Sequence, residues 1–324
     1  MVAVTGAAAS AVSAPLAEAS PETPVVDVIE ESSRARICKG KLLLRVRLAS
    51  DEVACLTEPA PLFLLAHRLA YLPLFFEDVY KNFKSYVPPL MGQSYEIWFD
   101  YDGFPLKWHY PIGVLCDVLV GSEVPVPLDL TVHFRGCPSK ELLPYSGVGH
   151  WRDAVMSAWR QAIFLQHGSA APCARFPQEQ QRRLWEAMKG ADLEGAAAVQ
   201  RELLCPSLGR CRRLAVRLHI SSRTQRHAVL LHPAAALEDH RPTTVQDFLR
   251  QVLPPLFPES AEALPSEGIE ILTHGIHVPL DTPLYWLAFN SMYLDNFIHL
   301  AIRLLCSGLG PSSSASSPTG IGRG

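Results

Sequence analysis

The chain has 324 residues, 48% hydrophobic and 19% charged, with 29 Lys plus Arg against 32 Asp plus Glu and a formal net charge of −3. That length predicts two or three units of about 100–200 residues each. The charge balance lacks the concentrated basic surface that nucleic-acid binding needs, so nucleic acid is not an expected partner, and no apolar run reaches the about 18 residues of a spanning helix. The N-terminal stretch is rich in Ala, Ser and Pro, and its first cation is Arg34, so it lacks the order of a signal peptide. Eight scattered cysteines form no CxxC pair, which reads as reduced, cytosolic thiols.

Residues 1–23 and 306–324 are low-complexity and are expected to be disordered tails. The unit at 38–138 opens with strand-like Lys41–Leu48, which alternates basic and apolar residues, and apolar Pro61–Leu72. Phe76, Val79, Tyr80, Phe83 and Val87 then recur at helical spacing. Asp102-Gly103 between two aromatic-rich runs predicts a hairpin. Pro111 opens a second helix with Ile112, Leu115, Cys116 and Leu119 on its apolar face, Gly121 stops it, and LDLTVHF is the last strand. The order β-β-α-β-β-α-β is that of a ubiquitin-like roll.

The unit at 139–207 reads as helices. Trp151, Ala154, Val155, Ala158, Trp159, Ala162 and Ile163 make one apolar stripe, with Asp153, Ser157, Arg160 and Gln161 on the wet face. Further helices are predicted at Gln178–Lys189 and Leu193–Leu204. The unit at 208–305 repeats the first in outline. It has paired strands at Leu214–Ile220 and Ala228–Leu231, and a capped helix starting at Thr244. A strand at Ile269–Thr273, a short helix after Thr282-Pro283 and a strand at Phe297–Leu304 follow. The fold class is α+β, with two ubiquitin-like domains flanking a helix-rich one.

Twelve histidines raise the question of metal or catalytic chemistry. His274 and His277 lie three apart in a strand-to-loop segment, short of the three convergent ligands zinc wants. There is no HExxH and no GxSxG, so neither a metal site nor a hydrolase nucleophile is predicted, and no cofactor is expected. The aromatics at 95–110 could stack nucleobases, but the net charge favours packing within and between domains. Arg68 and Lys107 by themselves read as surface cations beside apolar clusters.

Residues 96–119 (EIWFDYDGFPLKWHYPIGVLCDVL) and 273–304 (THGIHVPLDTPLYWLAFNSMYLDNFIHLAIRL) resemble the autophagy protein 5 family. So do 59–72 (PAPLFLLAHRLAYL) and 130–143 (LTVHFRGCPSKELL). The resemblance implies a ubiquitin-like domain, a helix-rich domain and a second ubiquitin-like domain after a short N-terminal helix, expected over 24–37 with Val25–Ser33 supplying it. It implies a non-catalytic scaffold, cytoplasmic and recruited to the preautophagosomal membrane. The family joins autophagy protein 12, binds a helix of autophagy protein 16, and promotes transfer of autophagy protein 8 from its conjugating enzyme to phosphatidylethanolamine. Carried over, Arg68, Gly113 and Asp117 are candidates for the groove that takes the protein 16 helix. Gly113 serves either close approach of that helix or packing of its own helix on its own roll.

The family's acceptor lysine falls in the stretch MSAWRQA, where this chain has Arg160. A guanidinium stays charged and cannot act as the amine of an isopeptide bond. Protein 12 then binds without a covalent bond, or attaches to another of the seven lysines, of which Lys140 and Lys189 flank or lie in the helical unit. Arg210, Arg212, Arg213 and Arg217 cluster near the start of the second roll. They read either as contact with an anionic membrane or as a solvated strand edge. A generic ubiquitin-fold adaptor outside autophagy is the competing function.

Overall fold

A computed structural model describes residues 31–89, 96–204, 213–222, 227–238, 241–258 and 268–305. Both expected tails lie outside these residues. Helix α1 (Glu31–Lys39) runs further toward β1 than the predicted Val25–Ser33, and residues 24–30 are outside the described set. Gly40 alone separates it from β1.

The first roll contains β1 (Lys41–Leu48), β2 (Leu62–His67), α2 (Phe76–Phe83), β3 (Trp98–Tyr101), β4 (Phe104–Pro105), α3 (Ile112–Leu119) and β5 (Leu128–His133). Its sheet order is β2-β1-β5-β3-β4, with β1 and β5 parallel and the other neighbours antiparallel. Alternation in β1 buries Leu42, Leu44, Val46 and Leu48 and turns Lys41, Leu43 and Arg47 outward. The β3–β4 turn uses Asp102 and Gly103 at φ 51° and 78°, the left-handed pair that a two-residue hairpin demands.

The helical unit comprises α4 (Val148–His167), α5 (Ala171–Ala174), α6 (Gln178–Lys189) and α7 (Leu193–Leu204). The predicted α4 stripe is its buried side, with Trp151, Val155, Trp159, Ala162 and Ile163 all inside. Trp151 meets Trp185 of α6 edge-on with ring centroids 4.9 Å apart, a geometry that adds to the area term.

The second roll contains β6 (Arg213–Ser222), β7 (Ala228–Ala235), the two-residue pair β8 (Leu237–Glu238) and β9 (Arg241–Pro242), and α8 (Val245–Val252). It continues with β10 (Ile269–Thr273), β11 (Ile276–His277), α9 (Leu284–Asn290) and β12 (Ile298–Leu304). The sheet order β7-β6-β12-β10-β11 is that of the first roll, again with one parallel central pair. A bridge Tyr71–Pro111 in the first roll has its counterpart Thr244–Pro283 in the second. Thr244 and Asp247 form the capping box of α8. The small β8–β9 pair has no signal in the apolar pattern.

The second roll has its own apolar core between its sheet and α8 and α9. A larger core runs through the first roll and the helical unit and takes in Leu272, Tyr293, Leu294 and Ala301 of the second roll. The units are therefore packed into one body, with the outer sheet face of the second roll covered by α3 and α4.

Candidate functional site

Arg68 follows β2 and turns into the seam between the rolls. It is only 8% exposed, because its guanidinium donates to Asp117 of α3 from Nη2, which also lies 3.4 Å from the Gly113 carbonyl. Asp117, 1% exposed, uses its other oxygen to accept the Gly275 N–H from the second roll at 3.0 Å. Burial pushes the Asp117 carboxyl up to about 6, against the pull of Arg68 and of that N–H. The expectation of a surface cation at Arg68 is thereby corrected: a charge this buried is kept because it is paired.

Three glycines make room for Arg68. A Cβ on Gly113 would stand 2.8 Å from the Arg68 Cβ and carbonyl oxygen, and one on Gly40 3.2 Å from its Cδ. One on Gly275, whose φ is +79°, would stand 2.9 Å from the guanidinium carbon. Gly113 N–H donates to the Arg68 carbonyl at 2.7 Å, so α3 lies directly on the chain after β2. Of the two readings of Gly113, packing within its own roll accounts for this contact.

On the solvent side of Arg68 lies a groove of about 820 Å³. Arg36 and Ile37 of α1 form one wall, Ile276 and Val278 at β11 another, and Trp286 of α9 closes the end. Ile276 is 59% exposed. Thr282-Pro283 starts α9 and so aims Trp286 at the groove. His274, at φ 53° in the β10–β11 turn, stacks on Tyr293 at 3.9 Å and is hydrogen-bonded through Nε2 to the Ser291 carbonyl. Burial holds His274 neutral, its pKa pushed down to about 3. Gly275, Ile276 and Trp286 were not singled out as site residues from the sequence; an apolar residue beside a left-handed Gly in a tight hairpin is the signal that marks the first two.

The remaining predicted residues are apart from the groove. Arg160 is exposed on α4, beside the buried Trp159. Lys140 is exposed in the turn after the first roll, and Lys189 is exposed in the last turn of α6, 3.8 Å from Glu186. Arg213 is exposed at the start of β6, while Arg210 and Arg212 lie outside the described residues. Arg217 does not belong to a surface patch: it is 4% exposed, 3.3 Å from Asp295, with its guanidinium 3.9 Å from the Phe297 ring centroid. The alternation of β6 turns Arg217 toward a face that α4 covers, so no membrane can reach it. Lys107 is half-buried and donates to the His227 carbonyl at 3.3 Å.

Among the described residues, no group of three or more His, Cys, Asp or Glu is arranged to hold a metal ion, and no helix is long and apolar enough to cross a membrane. Two ubiquitin-like rolls flanking a helical unit, with a groove between α1 and the second roll, define a protein of the ubiquitin-like fold class. Three sequence profiles of one family match the chain: "Autophagy protein ATG5, UblA domain" at 37–134, "alpha-helical bundle region" at 150–204 and "UblB domain" at 213–302. Autophagy protein 5 of Aspergillus clavatus is 25% identical over 320 residues, covering 85% of this chain and 97% of the relative. That of Drosophila melanogaster is 27% identical over 82% and 94%, and that of Arabidopsis thaliana 35% identical over 49% and 46%. The crystal structure of Kluyveromyces marxianus Atg5 superposes with a TM-score of 0.69 at 20% identity, over 85% of this chain and 99% of that one. The chain belongs to the autophagy protein 5 family, and its role lies in autophagy.

Proposed function

We propose that this chain is the non-catalytic docking centre of a ligase-like complex. It takes a helix of autophagy protein 16 in the groove and autophagy protein 12 on the exposed side of α4. It thereby promotes transfer of autophagy protein 8 from its conjugating enzyme to phosphatidylethanolamine. It works in the cytoplasm and at the preautophagosomal membrane. The observation that carries this reading is the groove, where exposed Ile276, half-buried Trp286 and buried Val278 sit against the buried Arg68–Asp117 pair. A trough of about 820 Å³ lined mostly by apolar side chains, with Arg36 and Arg68 among its lining, suits an amphipathic helix laid in by its apolar face. Gly113 and Asp117 serve from behind, by fixing Arg68.

At α4, the exposed Arg160 favours a non-covalent protein 12 contact, since an interface of about 1,600 Å² holds without a tether. Lys140 and Lys189 are the alternative acceptors. Of the four clustered arginines, Arg213 is the described one left exposed for contact with an anionic membrane.

The test is co-purification of the full chain with a synthetic protein 16 helix. Ile276→Asp places a charge in the trough at an exposed position, so stability should change by no more than about 0.5 kcal/mol. Helix binding should fall by more than about tenfold, or 1.4 kcal/mol. Unchanged binding in a folded Ile276→Asp chain would reject the groove as the docking site.

A further inference from the structure

The outward face of a ubiquitin-like sheet ordinarily meets water, and its alternate residues are polar. In the second roll that face is covered, and it carries a continuous string of histidines. His227 Nε2 lies 2.8 Å from His219 Nδ1, His219 Nε2 lies 2.8 Å from His299 Nδ1, and His299 Nε2 lies 3.0 Å from Asp295 Oδ2. His219 and His299 are 0% and 1% exposed. Arg217 and His299 both oppose burial to hold the Asp295 carboxyl below the usual range, so it is ionised and can only accept.

That end of the chain fixes every proton. His299 must donate from Nε2, leaving Nδ1 to accept from His219 Nε2–H. His219 Nδ1 then accepts from His227 Nε2–H. Each ring is neutral with one permitted tautomer, and His227 Nδ1 is the outer end of the string. A second proton on His219 or His299 in this arrangement breaks one link, because two donors then face each other, whereas one on His227 falls on the outer Nδ1 and must be held where burial disfavours its charge.

The surroundings make such a proton unwelcome. Lys107, His109 and Tyr110 face the string from the loop before α3, and His150 and Gln161 lie on α4. Arg217 flanks it on β6, and Tyr71 and Tyr293 border the Asp295 end. Burial above all, and then the nearby cations, push His227 down to about 3 and His109 to about 4 and lower His219, and burial lowers His299 as well, against the pull of Asp295. Tyr293 touches both ends of the relation to the groove, with its ring 3.9 Å from His274 and 4.7 Å from His299.

We propose that burial of the string His227–His219–His299–Asp295, which lies wholly in the second roll, beneath the first roll and α4 is a proton-linked latch, and that mild acid releases it. Opening gives water to the rings, which then titrate near the ordinary histidine value of about 6.5. Below that value the open form takes up protons that the closed form refuses. Each such proton lowers the closing constant about tenfold per pH unit, so two together lower it about a hundredfold. Release therefore begins well above the closed-state pKa values and is steep. The latch acts without any partner in the groove, so its failure would leave the docking reading untouched.

The test uses the full chain, titrated from pH 7.5 to 5.0 by small-angle X-ray scattering with far-UV circular dichroism on the same samples. Expected is a rise in radius of gyration with the circular dichroism retained, falling at least about a hundredfold per pH unit in closing constant. His219→Gln keeps both links, its amide donating to His299 and its carbonyl accepting from His227, but cannot take a proton. Its transition should move to lower pH and lose about one tenfold step per unit. Should His219→Gln not fold at pH 7.5, His227→Gln carries the same expectation at the half-buried end. Dimensions constant to pH 5.0, expansion only in step with lost circular dichroism, or a variant that opens at the wild-type pH with the wild-type steepness would each overturn the proposal.

Discussion

Asp117 on α3 and Gly275 in the β10–β11 turn are joined by a 3.0 Å hydrogen bond across the seam between the two rolls, while the other Asp117 oxygen holds Arg68. One carboxylate thus ties the groove's buried cation to the second roll. Gly40, Gly113 and Gly275 close round the same side chain, which makes Arg68 the point where α1, the first roll and the second roll meet.

Arg68→Met keeps the stem and removes the charge, leaving Asp117 buried without a cation. Breaking such a pair costs about 3–5 kcal/mol, measured by urea unfolding at pH 7.5. The sign of the pH dependence follows from the direction of the Asp117 shift. Its carboxyl already stands at about 6 through burial and rises further once Arg68 is gone. The folded variant then holds a proton that the unfolded chain, with an aspartate pKa of about 3.9, has released. The deficit relative to wild type is largest near neutral pH and narrows on acidification. A deficit that is constant from pH 8 to 5 would show that the pair does not govern it.

Gly113→Ala puts a methyl group 2.8 Å from the Arg68 Cβ and carbonyl oxygen, and that backbone is pinned by the Gly113 N–H bond. Overpacking of this kind costs about 1–3 kcal/mol. Gly149→Ala is the control: it lies on exposed α4 with nothing within 4 Å of the new carbon, so helix propensity should leave it neutral or stabilising by up to about 1 kcal/mol. Equal melting temperatures for the two variants would contradict the close approach of α3 to Arg68.

His133 sits between two buried carboxylates, 2.6 Å from Asp100 and 3.4 Å from Glu52, with Trp98 stacked 3.9 Å away. Burial disfavours its charge, but the two carboxylates outweigh it and raise its pKa. A raised histidine gives stability that is fully present below the unfolded value of about 6.5 and is lost as pH rises through the folded value. His133→Ala should therefore cost about 1–3 kcal/mol at pH 6 and less at pH 9. A larger loss at pH 9 than at pH 6 would reverse the assignment.

Arg160→Lys restores an amine at an exposed site on α4. Co-expressed with protein 12 and its activating and conjugating enzymes, the wild-type chain should run on a denaturing gel as two separate polypeptides from one native complex. The variant should give a single heavier species, with the linked lysine located by peptide mapping. A denaturation-resistant adduct of the wild-type chain would sink the non-covalent reading and direct mapping to Lys140 and Lys189.

Much of the fold is legible because it is local. Alternation gave β1 its limits at Lys41 and Leu48, Asp102-Gly103 announced a hairpin, and Thr244 with Asp247 announced a cap. The 3.6-residue stripe from Trp151 to Ile163 marked the buried side of α4. Each of these rests on neighbours in the chain, so residue type and spacing suffice. The end of the N-terminal helix is less legible: α1 reaches Lys39, past the expected Ser33, and carries no apolar stripe to mark where it stops.

The candidate site is less legible. Arg68 and Arg217 both read as surface cations, and both are buried. Period-2 spacing says that Arg217, His219 and Ser221 share a face; it cannot say that α3 and α4 will cover that face. The histidines of that face are spread over 80 residues, from His219 to His299, and become a string only when β6 and β12 pair in parallel.

The sequence by itself determined the element order, the two rolls around a helical unit and the family resemblance, and it puts an arginine, Arg160, where that resemblance expects an acceptor lysine. The tertiary structure alone decided which polar residues are buried, that Gly113 is spent on Arg68, and that a groove opens between α1 and the β10–β11 turn. The physical reason is that backbone periodicity follows from residues a few positions apart, whereas burial of a charge depends on a partner such as Asp117 for Arg68 or Asp295 for Arg217. Such partners lie far along the chain and are chosen only by packing.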